Sequence, residues 1–138
     1  MAIALLATLG VISLTGLALA RAERIAGLGA ISQVQARAAA QAALAAALLG
    51  WSASSTPVAP GEERQLVDLV VPGPATGRAS VRALGGTVYA IRASGARLSQ
   101  AGDSLGSVRL ELLVLLQAPD SFGTVHPRPY PRGWRQLP

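Results

Sequence analysis

The sequence predicts an α+β protein: a long N-terminal transmembrane helix and stalk packed on a small antiparallel β-meander, followed by an extended C-terminal arm. Three observations carry that reading. Residues 1–20 contain no charged side chain, residues 21–50 keep a helical apolar period without proline, and beyond residue 61 the period falls to two before dissolving into a proline-rich end. The division that follows is 1–20 membrane helix, 21–50 stalk, 51–61 linker, 62–117 β domain and 118–138 arm.

The first segment, MAIALLATLGVISLTGLALA, is closed by Arg21. At about 1.5 Å per residue it spans roughly 30 Å, the thickness of a bilayer's hydrocarbon core. Ala18-Leu19-Ala20 also has the form of a signal cleavage site, but a basic stretch ahead of the apolar run is missing, which favours a retained anchor. Gly10, Ser13, Gly16 and Ala20 offer small side chains for helix–helix packing, and Gly16 and Ala20 have the small-xxx-small spacing that lets backbones approach in lipid.

In the stalk, Ile25, Leu28, Ile31 and Val34 recur every three residues, and Ala38, Gln41, Leu44 and Leu48 extend the stripe. This narrow apolar face needs a cover, and the sheet is the expected one. Gly50 stands where a helix C-cap belongs. The Ser/Pro/Ala linker SASSTPVAPG precedes four expected strands at 64–71, 78–84, 87–94 and 108–117. Gly85-Gly86 is a two-residue hairpin turn, and the Gly/Ser-rich stretch 97–106 is a loop. So small and aromatic-poor a sheet seldom buries enough area alone, so it is expected to lean on the stalk.

The arm, APDSFGTVHPRPYPRGWRQLP, carries five prolines and three arginines. Alternating Pro127, Pro129 and Pro131 stiffen it. It is expected to lie along a neighbouring subunit, with Arg128, Tyr130, Arg132, Trp134 and Arg135 as partner-binding residues.

Composition excludes more than it assigns. The net charge is +5, all twelve basic residues are arginine, and no dense basic block exists, so nucleic acid is an improbable partner. Without cysteine there is no disulfide framework and no thiolate ligand or nucleophile. His126 is a single histidine beside proline, and Glu62-Glu63 is expected to be a solvated pair. The acids have no ligand spacing, and no serine sits in a hydrolase motif. No catalytic residue, metal site or cofactor is predicted, and the protein is not expected to be an enzyme.

Leu17-Ala18-Leu19-Ala20-Arg21, Glu23-Arg24-Ile25-Ala26-Gly27 and the Ala/Gln-rich run from Gln35 to Leu44 resemble the N-terminal helix of type IV pilin-like proteins. The similarity is to minor pilins of the PilX and secretion-system K type. The stretches 84–94 and 108–116 resemble the hairpin and last strand of such proteins. The resemblance implies a single-pass structural subunit of the bacterial inner membrane, with a leader removed ahead of Met1 and the domain in the periplasm. Arg21 and Arg24, taken alone, would place that domain in the cytoplasm, and position 5 is Leu5 rather than an acid. Expected partners are other membrane protein subunits, whether copies of itself or different chains, and the lipid bilayer. Two further roles stay open: an accessory subunit of a large respiratory or photosynthetic membrane complex, and a DNA-uptake pilin.

Overall fold

In the computed structural model the described residues are 16–50, 58–71, 73–117 and 127–138, with residues 2–15 described as helical backbone only. Alanine-rich and free of proline, the N-terminal sequence forms one helix, α1 (Ala2–Gly50). Five strands follow: β1 (Glu63–Val71), β2 (Ala75–Gly85), β3 (Val88–Leu98), β4 (Ser104–Leu116) and β5 (Pro127–Leu137). They form one antiparallel sheet in the order β1-β2-β3-β4-β5. The chain divides into two compact units, Met1–Ile31 and Ser32–Pro138.

Within the second unit the helix lies on the sheet through its smallest side chains. Ser32, Ala36, Ala39, Ala40, Ala43, Leu44 and Ala47 are buried. Facing them, three strands present glycine. A Cβ at Gly95 would overlap the Ala36 carbonyl oxygen and stand 2.5 Å from the Ala40 nitrogen. One at Gly77 would overlap the Ala39 carbonyl oxygen, and one at Gly106 would come within 3.2 Å of Ser32. The helix therefore crosses β4, β3 and β2 along a glycine track, alanine against bare backbone. Towards Gly50 the fit changes to ordinary apolar packing, with Leu44 and Ala47 against Val81, Ile91, Leu112 and Val114.

This seating corrects the expected stripe. Val34, Ala38 and Gln41 are exposed, and the buried face is offset from them by one residue or more. The reason is volume, because the sheet surface over Gly77 and Gly95 has room for a methyl group but not for isoleucine or valine. Gly95 and Gly106 also lie inside strands: β3 runs on to Leu98 and β4 begins at Ser104, so the expected loop 97–106 shrinks to residues 99–103. There the Ser99 hydroxyl accepts hydrogen bonds from the Ala101 and Asp103 amides, each at 3.1 Å. The β2–β3 turn shifts as well. Gly85 pairs with Val88, which leaves Gly86-Thr87 as the loop.

The largest correction concerns the two ends. Among the described residues no helix is long and apolar enough to cross a membrane. In the described part of α1, Arg21, Glu23 and Arg24 follow residues 16–20 too closely for an apolar span, and residues 1–15 of the expected span lie outside the described side chains. The transmembrane segment and the single-pass inner-membrane placement are overturned by that finding. Of the expected arm, residues 118–126 lie outside the described residues, and Pro127–Leu137 form β5, hydrogen-bonded to β4 of the same chain. Proline is admissible there because β5 is an edge strand, with one side free of ladder bonds. Between the pairs Leu112↔Trp134 and Val114↔Pro129, residues 130–133 form a bulge opposite Leu113, and Arg132 takes the left-handed conformation at φ 60°. Architecture thus differs from the α+β anchor-and-meander expectation: the described residues form one helix and a dominant five-stranded sheet, without a helix able to cross a membrane and with residues 127–137 paired into the sheet.

The glycine track predicts a ranking of substitutions. Gly95→Ala and Gly77→Ala should each cost about 3 kcal/mol, because the obstructing atoms belong to helix backbone and cannot rotate away. Gly106→Ala should cost under about 1 kcal/mol, since its neighbours need to shift by only tenths of an ångström. Denaturant titration of the three variants measures the order.

Candidate functional site

Alternation in a strand sends every second side chain to the face away from the helix. On that open face one polar row crosses the whole sheet in register: Gln65, Ser80, Arg92, Glu111 and Arg135, one residue from each strand. Glu111 is its centre. It is only 2% exposed, although it sits on the face that carries no helix. Arg92 Nε donates to Glu111 Oε2 at 2.8 Å and Arg135 Nε donates to Oε1 at 2.7 Å. A second arginine nitrogen, Nη2 of Arg135, also meets Oε1. Each carboxylate oxygen thus has its own guanidinium, in the charge-assisted geometry that gives strong hydrogen bonds.

The row continues to the first strand. Arg92 Nη1 stands 3.6 Å from Glu63 Oε2, and the Ser80 hydroxyl donates to Glu63 Oε1 at 2.5 Å. Glu62 folds back instead, its carboxylate accepting from the Ala59 amide at 3.1 Å. Both glutamates are exposed at the entry to β1, as expected, and each also has its own partner. A second row runs beside the first: Asp68, Arg78, Ser94, Arg109 and Leu137. Here the one ion pair among the described residues is loose, Arg78 Nε to Asp68 at 3.4 Å, with both side chains more than half exposed. Arg109 is exposed, and no ion-pair partner faces it among the described residues.

Electrostatics follow from this geometry. Burial pushes the Glu111 carboxyl up, but the hydrogen bonds from Arg92 and Arg135 outweigh it and hold the group below the ordinary carboxylate value. The hydrogen bond to Glu111 likewise raises Arg92, against the opposing effect of burial. Among the described residues no group of three histidine, cysteine or acidic side chains converges to hold a metal ion. The row is an ion-paired clasp that ties β3, β4 and β5 together, and sequence inspection missed it because its members lie 19 and 24 residues apart.

The residues singled out from sequence are placed as follows. Gly10 and Ser13 lie outside the described side chains. Gly16 and Ala20 are exposed on α1, and nothing approaches the position of a Cβ at Gly16. Of the expected arm residues, Arg135 is committed to Glu111 of its own chain and Arg128 pairs in register with Leu115. Tyr130 and Trp134 are each half exposed, and Arg132 sits in the bulge. His126 lies outside the described residues.

Glu111→Gln should cost about 2 kcal/mol at neutral pH, since two charge-assisted hydrogen bonds weaken together. The sign of its pH dependence is set by the lowered value of the folded carboxyl. The stability Glu111 supplies is complete above the ordinary carboxylate range and is lost as pH falls through the folded value. The difference between wild type and variant, measured by denaturant unfolding from pH 7 downward, should therefore shrink towards zero in acid. Comparison with known protein families, characterised proteins and solved structures finds no match for this chain.

Proposed function

We propose that this protein is a non-enzymatic structural subunit that assembles with copies of itself through α1, on the plan of type IV pilin-like subunits. The observation that carries the proposal is the surface of the helix. Leu17, Leu19, Ile25, Leu28, Ile31 and Val34 are between 56% and 71% exposed. At about 100° per residue these six side chains point nearly all round the axis rather than along one seam. Apolar side chains spread so widely round a helix need cover on more than one side. A single partner would cover one side of it, whereas a helix-cored filament covers every side.

Magnitudes support the same reading. Burying a leucine, isoleucine or valine side chain stabilises by about 1.5–3 kcal/mol, so six half-buried ones supply on the order of 5–10 kcal/mol per subunit. That is enough to offset a substantial part of the entropy lost in association. Arg21, Glu23 and Arg24 interrupt the apolar surface with both signs of charge, which suits pairing between neighbouring helices and sets their register.

Sedimentation and electron microscopy of the full chain test this. Wild type should form concentration-dependent oligomers or filaments, and Ile25→Asp should weaken assembly at least tenfold while the sheet signal in circular dichroism is unchanged. A chain that stays monomeric at every concentration, or a variant that assembles as well as wild type, would sink the proposal.

A further inference from the structure

The open face of the sheet holds more positive charge than the fold uses. Glu111 and Glu63 are spent on Arg92 and Arg135, which leaves Arg109 with no acid among the described residues and Arg78 with one exposed acid, Asp68 at 3.4 Å. Both lie in the row Arg78, Ser94, Arg109 across β2, β3 and β4. Two strand spacings separate them by about 9.6 Å, so their long side chains can converge above the exposed Ser94. These residues, with Gln65, Ser80 and Arg92, line a groove of about 450 Å³ that runs from Glu63 on β1 to Leu137 on β5.

From this juxtaposition we infer that the groove is a binding site for an acidic, extended peptide segment of a partner protein. Its length over four strand spacings is roughly 19 Å, which an extended chain spans with about six residues. Guanidiniums present paired donors that match carboxylates in bidentate geometry. Serine and glutamine side chains between them serve main-chain groups, and Leu137 offers a small apolar end. A nucleic-acid strand fits less well. No aromatic ring lines the groove for a base to stack on, and Glu63 stands at one end of it. This face points away from helix residues 32–47, so the site stands or falls separately from assembly through α1.

The test uses the full chain and a fluorescein-labelled octapeptide of alternating glutamate and serine, followed by fluorescence anisotropy. Saturable binding is expected, weakened at least tenfold by Arg109→Gln and by Arg78→Gln and reduced at high salt. Asp68→Asn should tighten it by freeing Arg78, an effect that a merely structural role for Arg78 would not produce. Arg37→Gln, which removes an exposed charge on the helix, should leave binding unchanged and excludes a general charge effect. The inference is overturned if a glutamine version of the peptide binds equally, or if Arg37→Gln weakens binding as much as Arg109→Gln. It is also overturned if millimolar inorganic phosphate displaces the peptide completely, or if oligothymidine binds more tightly than the peptide.

Discussion

Close approach of one helix backbone to three strands is the constraint from which the rest of this structure follows. Gly77, Gly95 and Gly106 remove side chains where the helix passes, and alanine at 36, 39, 40 and 43 keeps the helix thin on the same line. Such packing gains less from apolar area per residue than a leucine-rich core would. It gains instead from dense contact, because atoms at optimal separation over a long strip add up. It is also intolerant, since a methyl group in the wrong place meets backbone that cannot rotate aside.

That seating has a second consequence. With one sheet face occupied by small residues of the helix, Val34 points elsewhere and remains exposed. The opposite sheet face is stabilised differently, by an Arg–Glu–Arg clasp spanning β3 to β5. Removing one partner of such a group costs more than the group contributes as a whole, since it strands the remaining charge. Fixed register of β5 is the visible result, with Arg135 opposite Glu111 despite the bulge at residues 130–133.

Legibility of the sequence differed from element to element for physical reasons. Alternation in RASVRAL and TVYAIRAS marks strands directly, because the side-chain period of a strand is two. Gly106 reads as loop, and the expected strand 87–94 stops short of Gly95, because glycine usually interrupts strands, whereas here it admits the helix. The proline-rich C-terminus reads as an extended arm because proline cannot join a central strand, and the edge position that excuses it is a property of topology. The apolar run in residues 1–20 reads as a membrane span on length and hydropathy alone, an expectation the structure overturns. Glu111 stands in VRLELLVLL as a lone acid among apolar residues, a signal of a buried partnered charge that passed unused.

Amide hydrogen exchange on the full chain tests the central claim most directly. If the alanine face is seated in the glycine track, residues 32–47 of α1 exchange at the rate of β2, β3 and β4, since helix and sheet open as one cooperative unit. Exchange of residues 32–47 far faster than that of the central strands would show that the sheet stands without the helix, and would contradict the account.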